Sequence, residues 1–327
     1  MSGLDTLLQR PEHETSWSRF RRSPTKFVAS SLYNQRSTEL QSQKSTGIPV
    51  HVVCISDTHN TKPSVPDGDI LIHAGDLTQS GTREELEEQI EWLDSQPHRY
   101  KIVIAGNHEL CLDHHQHSDS GNKNVTINWK SLIYLENTSI TVKLGDGHQL
   151  KVFGSPYTPK HGNGAFQYPR TDATVWQEIP KDTDILVTHG PPKAHLDLGD
   201  LGCQALRKAL WDIERRPILH VFGHIHGGYG KEIVYWNSFQ RAYEAVMEGN
   251  SRWLNLCVLI YNSILSMFTG CTATDRATVM VNAAAVGGIR DDKRREAICV
   301  DIYAGSNRCS VVGTRTPAPT RRSDQSF

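Results

Sequence analysis

The sequence of 327 residues has almost no net charge: 35 lysine and arginine residues are balanced by 36 aspartate and glutamate residues, for a formal net charge of −1. Without a basic excess, the chain has no overall positive field for an extended nucleic-acid surface. We therefore expect a compact substrate, and the sequence gives no strong signal for a nucleic-acid partner.

Paired cysteines are also missing. None of the 7 cysteines belongs to a C-x-x-C motif, and several lie in apolar runs such as "VHVVCIS" and "AICVDIY". This usage is typical of free, buried thiols in a reducing compartment. The first 26 residues contain no apolar core of the kind that a signal peptide has. We expect a cytoplasmic or nuclear protein without a signal peptide.

Long hydrophobic runs are absent as well. The longest apolar stretch, residues 253–268 ("WLNLCVLIYNSILSMF"), has 16 residues and is interrupted by asparagines and serines. A helix that spans a membrane needs about 20 apolar residues, so the sequence predicts no transmembrane segment. A packed helix is the favoured interpretation, and peripheral membrane contact by residues 253–268 is the alternative.

Composition divides the chain into three parts. Residues 1–46 are rich in serine, glutamine, threonine and arginine and lack a sustained apolar period, so we expect a mostly disordered segment with one docked stretch at most. Residues 47–312 are expected to form one domain. Residues 313–327, rich in proline, threonine and arginine, predict a disordered tail.

Apolar runs alternate with amphipathic stretches inside the domain. Six runs predict buried strands: "VHVVCIS", "DILIHAGD", "KIVIAGNH", "LKVFGSP", "DILVTHG" and "LHVFGHIH". The stretches "TREELEEQIEWLDSQ" and "GCQALRKALWDIERRP" predict helices. This order indicates an α/β fold with a partly parallel sheet, whose ligands collect beyond the carboxyl ends of the strands.

Five of the six predicted strands end in residue types that bind metals. The candidate ligands are Asp57, His59, Asp76, Asn107, His189, His224 and His226. Side chains two positions apart on a strand point the same way, so His224 and His226 can face one cleft. Seven ligands exceed the need of one ion. If one carboxylate bridges, they suit two ions.

The mixture of oxygen and imidazole ligands suits divalent manganese, iron, zinc or cobalt, with Mn²⁺ the first choice. Glycines lie beside these ligands at positions 75, 106, 190 and 223. We expect each to let the backbone turn where a Cβ atom would crowd the ions.

The motifs together resemble one family. In order, D-x-H at 57–59, G-D at 75–76, G-N-H-E at 106–109, the histidine of "VTHGPP" and G-H-x-H at 223–226 resemble the calcineurin-like metallophosphoesterases, particularly the metallophosphoesterase-domain-containing subgroup. The resemblance covers roughly residues 48–230, and a final strand is expected near "ATVMVNAAAV". It implies a four-layer α/β/β/α sandwich, here with a helical insertion.

The resemblance also implies the roles of individual residues. Asp57, His59 and His226 would hold the first metal, Asn107, His189 and His224 the second, and Asp76 would bridge them. His108 would be the general acid that assists the leaving group, and Asn107 and His108 would contact the substrate. In that scheme a hydroxide held between the two ions attacks phosphorus. The group that orients His108 is not evident, and Glu109 is either that group or a cap of the next turn.

The implied activity is phosphoester hydrolysis, most specifically of nucleotide-type diesters, which include cyclic nucleotides. One departure lowers the expectation of a phosphoprotein substrate: Gln79 and Ser80 replace the Asp-Arg pair that follows the G-D motif in the protein phosphatases. A phosphomonoesterase or pyrophosphatase would use the same metals. A catalytically weak metal-binding scaffold is the remaining alternative, although no ligand is missing.

The substrate wall is expected in residues 154–170. Tyr157 and Phe166 in this loop are candidates for stacking on a base, although aromatic residues in such loops are more often hydrophobic anchors. The loop "CLDHHQHSDSGN" offers His114, His115 and His117, and its favoured interpretation is a solvated loop and not a third metal site.

Residues 231–275 are expected to form the helical insertion, as two helices separated by Gly249 and Asn250. Its second helix carries a broad apolar face that should be buried, made of Trp253, Leu254, Cys257, Val258, Tyr261, Ile264, Leu265 and Phe268. The insertion begins next to His226. It therefore either restricts access to the cleft or pads the outer layer.

Overall fold

Two six-stranded β-sheets, packed face to face, form the centre of the fold. The computed structural model describes residues 15–39, 49–113, 126–145, 147–199, 201–250, 252–269, 277–288, 292–304 and 309–311. The helices are α1 (Ser16–Arg22), α2 (Pro24–Glu39), α3 (Arg83–Asp94), α4 (Gln204–Asp212), α5 (Ser238–Glu248) and α6 (Arg252–Thr269). The strands are β1 (Pro49–Ile55), β2 (Ile70–Ala74), β3 (Tyr100–Ile104), β4 (Leu132–Tyr134), β5 (Thr138–Lys143), β6 (Gln149–Ser155), β7 (Thr158–Pro159), β8 (Gln167–Tyr168), β9 (Ile185–Thr188), β10 (Leu219–Phe222), β11 (Gly230–Tyr235), β12 (Ala277–Asn282), β13 (Val286–Gly287), β14 (Lys293–Arg294), β15 (Ile298–Ala304) and β16 (Cys309–Val311).

The topology brings the carboxyl ends of both sheets together. The first sheet has the order β16-β15-β1-β2-β3-β4, with β1 to β4 parallel. The second has the order β11-β12-β10-β9-β6-β5, in which β12, β10, β9 and β6 are parallel. A bridge between Ser56, just after β1, and Ala284, just after β12, joins the two sheets at this end. Ligands on either sheet therefore face one cleft.

All six strands predicted from the apolar runs are present, and β12 is the predicted final strand. Every residue of β2, β9 and β10 is buried. A strand that is covered on both faces needs apolar residues on both, which explains these unbroken apolar sequences.

Helices cover both outer faces. The core between the sheets contains aliphatic side chains from each, among them Val52, Ile72, Ile104, Val152, Val187 and Val221. On the outer face of the first sheet, α3 buries Leu86, Ile90 and Leu93. On the outer face of the second, α4 buries Leu206 and Leu210. The order helix, sheet, sheet, helix confirms the four-layer α/β/β/α sandwich.

Residues 16–39, in the segment that was expected to be mostly disordered with one docked stretch, form α1 and α2, which is more helical structure than the composition predicted. Ala29 and Tyr33 of α2 are buried against α5 and α6, and the Tyr33 ring stacks on the Tyr243 ring at a centroid distance of 4.0 Å. These tertiary contacts stabilise a helix whose own apolar period is too weak to predict. Residues 1–14, 40–48 and 312–327 lie outside the described residues, so the tail at 313–327 stays a prediction.

The segment expected to be a helical insertion, residues 231–275, also contributes to the sheet. β11 pairs antiparallel with β12, so the prediction is wrong for residues 231–235. The helical part is α5 and α6, which are separated where expected: Gly249 ends α5 with a φ of 91°, a left-handed cap that favours glycine. Helices α2, α5 and α6 share one hydrophobic cluster.

The apolar face predicted to be buried on α6 is largely exposed. Trp253 is 70% exposed and Tyr261 65%, whereas Leu256 and Leu259 pack with residues of α2 and α5. This helix is apolar around its whole circumference, so its period does not identify the side that is buried. No helix within the described parts of the chain is long and apolar enough to cross a membrane.

Candidate metal centre

All seven predicted ligands lie at the carboxyl ends of the central strands. Asp57 and His59 follow β1, Asp76 follows β2, Asn107 follows β3, His189 follows β9, and His224 and His226 follow β10. Ligand atoms of six of them, all but Asn107, form three overlapping groups together with His108, and the atoms of each group lie within 4.8 Å of one another: Asp57, His59 and His226; His59, Asp76 and His108; and Asp76, His189 and His224. Two groups meet at Asp76, which is the position of the predicted bridge.

Four of these residues have an unusual backbone conformation. Asp57, His59, Asp76 and His224 have φ values of 51°, 44°, 54° and 65°. Left-handed conformations cost residues other than glycine about 1–3 kcal/mol each and persist where the surroundings impose them, often at functional sites. The strand ends therefore turn abruptly, and each turn directs a side chain into the cleft.

The first group places its donor atoms close together. His59 Nε2 lies 3.4 Å from His226 Nε2, which lies 3.3 Å from Asp57 Oδ1. The Asp57 carboxylate also accepts the backbone N–H of His224, at 2.9 and 3.0 Å from its two oxygens. Asp57 thus holds the second histidine motif while one of its oxygens faces His226.

The donor atoms of Asp76, Asn107 and His189 have a similar spacing. His189 Nε2 lies 3.2 Å from Asp76 Oδ2 and 3.0 Å from Asn107 Oδ1. Two ligands at about 2.1 Å from one ion, in directions at right angles, are about 3.0 Å apart. A carboxylate oxygen, an amide oxygen and an imidazole nitrogen that face one another at this spacing fit a shared cation.

Backbone carbonyl groups fix the orientation of three imidazole rings. The Nδ1–H groups of His59, His189 and His108 donate to the carbonyls of Thr78, Ala74 and Gln79 at 3.1, 2.9 and 2.8 Å. A carbonyl only accepts, so Nδ1 carries the proton and the Nε2 lone pair is left for the cleft. This is the arrangement by which metal-binding histidines are held in proteins.

The three carbonyls and Asp76 belong to one stretch, residues 74–79. Glu109, which is fully buried, holds this stretch: it accepts the backbone N–H groups of Asp76 at 3.0 Å and Thr78 at 2.9 Å. It also accepts the N–H of Gly106 at 2.6 Å. Glu109 therefore does not orient His108. The Gln79 carbonyl does, and a backbone group of this kind leaves no mark in the sequence.

The glycines predicted to make room for the ions do so at three of four positions. A Cβ atom on Gly106 would overlap the Asp76 carboxylate and lie 2.6 Å from His189 Cε1, and one on Gly223 would overlap the Asp57 carboxylate. A Cβ atom on Gly75 would lie 2.6 Å from His189 Nδ1. Gly190 is different, because its nearest neighbour would be Thr158 Cγ2 at 3.4 Å, an ordinary contact.

Asp57 and His224 have the charge states in which they bind metals, whereas His189 holds a proton that a cation would have to replace. Burial opposes charge on His189, but the Asp76 carboxylate outweighs it and raises the pKa of His189 to about 9. Burial also opposes ionisation of Asp57, yet the hydrogen bond and charge of His226 hold its pKa below the ordinary value. Burial lowers the pKa of His224 to about 4. The cleft thus contains ionised carboxylates beside imidazoles, and a cation can replace the proton on His189.

The two aromatic candidates for substrate contact differ in exposure. Phe166 is 3% exposed and packs against Ala105, Ala165 and the Tyr157 ring, so the prediction that it stacks on a base is wrong. Tyr157 is half-buried and stays a candidate. The loop does reach the site, because the Ala165 N–H donates to the Asn107 carbonyl at 2.8 Å. His114, His115 and His117 lie outside the described residues.

Two supporting residues were not predicted. The Asn282 amide donates to the carbonyls of Ile225 at 3.0 Å and Leu196 at 3.1 Å, and so supports the turn that carries His226. The Arg295 guanidinium donates to the carbonyls of His226 and Val286. Both lie at or beyond the end of β12, and both act on backbone atoms, so no spacing motif marks them.

Comparison with known proteins agrees with the geometry. A family model described as calcineurin-like phosphoesterase matches residues 50–228, more than half of the sequence. The chain belongs to the calcineurin-like phosphoesterase family, which confirms the resemblance drawn from its motifs.

Three relatives illustrate the range of similarity. A protein of Emericella nidulans named probable rhamnogalacturonate lyase C is 72% identical over 305 residues, which cover 93% of this chain and 29% of that protein. Metallophosphoesterase domain-containing protein 1 of Homo sapiens is 41% identical over 206 residues, which cover 54% of this chain and 61% of that protein. A Caenorhabditis elegans protein, UPF0046 protein K07C11.7, is 41% identical over 213 residues, which cover 59% of this chain and 69% of that protein. The chain spans less than two thirds of the length of the first two.

Proposed function

We propose that this chain hydrolyses phosphodiesters of the nucleotide type, cyclic nucleotides among them, with two divalent metal ions. The family supports the coarser statement, a metal-dependent phosphoester hydrolase. The observation that carries the proposal is the convergence of carboxylate, amide and imidazole donors at 3.0 to 3.4 Å around Asp76, His189 and His226.

The donor groups divide between two ions. Asp57, His59 and His226 would hold the first, Asn107, His189 and His224 the second, and Asp76 would belong to both. When bound, the ions supply an activated water and neutralise charge on the phosphoryl oxygens. Mn²⁺ is our first choice among the ions that suit mixed oxygen and nitrogen ligands.

His108 is the proposed general acid. The hydrogen bond from its Nδ1–H to the Gln79 carbonyl leaves Nε2 as the atom that exchanges a proton with the leaving group. Its ring lies 4.5 Å from the His59 ring, so it is next to the ligands of the first ion. A proton held there would assist departure of the alkoxide.

A diester is favoured over a monoester by the charge it carries. A phosphodiester has one negative charge, whereas a monoester has about two at neutral pH. At the place where protein phosphatases have an arginine, this chain has Ser80, and the neighbouring Gln79 uses its carbonyl to orient His108. The missing guanidinium disfavours a dianion, and a phosphomonoesterase or pyrophosphatase is the second candidate.

The alternatives from other classes have less support. The lyase name of the Emericella nidulans relative belongs to a protein of which this chain covers 29%, so we do not extend it to this chain. A scaffold with a covered cleft is disfavoured because the His226 side chain is 24% exposed and Asn107 and His108 are half-buried. These residues leave the donors open to a substrate.

The state of the cysteines indicates the cellular compartment. Five cysteines in the described parts of the chain (Cys54, Cys111, Cys203, Cys257 and Cys299) are free thiols. Because free thiols persist in a reducing compartment, we propose the cytoplasm or the nucleus.

The test is hydrolysis by the full chain after chelation and reconstitution with Mn²⁺. Bis(4-nitrophenyl) phosphate, 4-nitrophenyl phosphate, pyrophosphate and the 2′,3′- and 3′,5′-cyclic nucleotides are compared. We expect metal-dependent turnover with the diesters ahead of the monoester. No turnover of any substrate would favour the scaffold, and a preference for the monoester or pyrophosphate would favour the second candidate.

Asp76→Asn tests the metal requirement, and Asp182→Asn is its matched control. A neutral amide does not balance two dications, so this variant should lose most bound metal and nearly all activity. Asp182→Asn removes a carboxylate that is 62% exposed and pairs with Lys151, and should change neither. Two equivalents of metal in Asp76→Asn would contradict the assignment of Asp76 as the bridge.

A further inference from the structure

An exposed leucine lies beside the metal centre. Leu198 is 64% exposed, in the loop between His189 and α4. It packs on the backbone of Gly227, the residue after His226: the three atoms nearest to a Cβ on Gly227 would all belong to Leu198, the closest at 2.8 Å. An apolar side chain therefore packs on the residue that follows His226 and has most of its surface in solvent.

The loop that presents Leu198 is strained. Ala194, Leu196 and Leu198 have φ values of 73°, 47° and 58°, a left-handed conformation that is rare for bulky side chains. Conformations of this kind persist only where the surroundings over-determine them, and they concentrate at functional sites. Three of them within five residues indicate that the loop is held in one shape.

A buried carboxylate holds the loop from inside. Asp197 is 1% exposed and accepts the backbone N–H groups of Ala194 at 2.9 Å, Gly199 at 2.7 Å and Gly202 at 2.9 Å. These three bonds close the loop around one side chain and fix the direction of its neighbour Leu198.

Contacts below the loop tie it to the helical insertion. His195 is fully buried and contacts Glu232 of β11 at 2.7 Å and Glu244 of α5 at 3.2 Å. Gly199 lies against the Met247 side chain of α5. The helical insertion is thus connected to the loop that carries Leu198.

The loop is also joined to the turn that carries His226. The Leu196 carbonyl accepts from Asn282, which also holds Ile225. The same carbonyl is so close to Gly228 that a Cβ there would overlap it. Leu198 therefore keeps its position relative to His226 and does not move as an independent flap.

We propose that Leu198 is a specificity-determining residue: a fixed apolar wall that packs against an aromatic group of the phosphoester on the His226 side of the cleft. The inference rests on the proposed function, since it names the part of the substrate that the same site prefers. A rigid apolar surface with nearby charges is the usual way in which a site orients a ligand that is part aromatic and part anionic.

The substitution Leu198→Asn tests this wall without removing the loop. Asparagine has the same branched arrangement of side-chain heavy atoms as leucine and tolerates a positive φ, so the backbone is retained while the apolar surface is lost. Leu198→Met keeps the apolar contact and should behave as the unchanged protein. Leu201→Asn is the matched control, because Leu201 is 61% exposed in the same loop and contributes none of the three atoms nearest to Gly227.

The probes are phenylphosphonate and methylphosphonate, measured by calorimetry on the Mn²⁺-loaded chain. Leu198→Asn should weaken phenylphosphonate binding about tenfold and leave methylphosphonate unchanged, since loss of a small apolar contact is worth about that much. Leu198→Met and Leu201→Asn should both bind phenylphosphonate more tightly than methylphosphonate, as the unchanged protein does.

Other results would distinguish an error in the role of Leu198 from an error in the proposed function. If the unchanged protein binds both phosphonates and hydrolyses the model diester, but Leu198→Asn alters both affinities equally or neither, Leu198 only packs on Gly227 and the wall is wrong. If the unchanged protein binds neither phosphonate and hydrolyses none of the substrates, the proposed function is wrong, and so is the role of Leu198 that depends on it.

Discussion

The Glu109 carboxylate accepts the backbone N–H of Asp76 at 3.0 Å, within a fully buried network that also includes the N–H and hydroxyl of Thr78. An acidic residue that follows the proposed general acid, His108, in sequence thus acts on the backbone of Asp76, the proposed bridging ligand. Two properties of the protein depend on this contact: its stability and the position of Asp76.

Glu109→Gln is expected to destabilise the protein by about 1–3 kcal/mol. The glutamine amide replaces one acceptor oxygen with an NH₂ group, so a buried N–H of this network would face another donor. Urea unfolding measures the change, and metal content should fall as well. Glu88→Gln, at a side chain that is 67% exposed, should stay within about 0.5 kcal/mol. Equal stabilities of the two variants would contradict the clamping role of Glu109.

His108→Ala is expected to keep its metal and lose rate. General acid catalysis is typically worth about 10²- to 10⁴-fold, so kcat on a diester should fall by that range. Metal analysis is needed beside the rate, because His108 also falls within one of the potential ligand groups, with His59 and Asp76. Loss of one metal equivalent would make His108 a ligand and leave the acid unassigned.

Gly106→Ala is expected to abolish metal binding. Its new methyl group would overlap the Asp76 carboxylate and press on the His189 ring, and both are proposed ligands of the second ion. Gly190→Ala is the control, since its methyl group would meet only Thr158 Cγ2 at 3.4 Å. Titration with Mn²⁺ compares the two. Similar affinities in both variants would show that the cleft adapts to a Cβ at position 106.

His195 is expected to give the stability a distinct pH dependence. Burial opposes its charge, but Glu232 and Glu244 outweigh burial and raise the pKa of His195 to about 10, against 6.5 for an ordinary histidine. A raised pKa means that the folded protein holds this proton when the unfolded chain has lost it. The stabilisation is therefore complete below pH 6.5 and lost as the pH rises to about 10.

The size of this effect follows from one proton. Between the two pKa values the free energy of unfolding should fall by about 1.4 kcal/mol per pH unit on account of His195. The difference between the unchanged protein and His195→Gln isolates it from other groups, including Arg207, which pairs with Glu244, and the neutral His220 nearby. Parallel pH profiles would mean that His195 is neutral in the folded protein.

The parts of the fold and site that could be predicted are those that depend only on residues close together in the sequence. An apolar run followed at once by a ligand residue gives both a strand and its carboxyl end, so Asp57, Asp76 and His189 were found without knowledge of the topology. The parallel order of the strands then requires that these ends meet.

What could not be predicted depends on tertiary contacts. The orienting role of the Gln79 carbonyl belongs to the backbone and is compatible with almost any residue. Phe166 is buried because Ala105 and Tyr157 surround it, which its glycine- and proline-rich loop does not reveal. The buried side of α6 is decided by α5 and by α2, a helix whose own sequence shows no sustained apolar period.

Residues 74–79 supply Asp76 and the carbonyls that orient His59, His108 and His189, so four side chains of the centre depend on one stretch of backbone. A register shift of one residue in this stretch would misdirect all four side chains together, whereas ligands supported separately would fail one by one. Assembly of the centre is therefore cooperative. The two ions should be gained and lost as a pair, and a half-loaded protein should be scarce at every metal concentration.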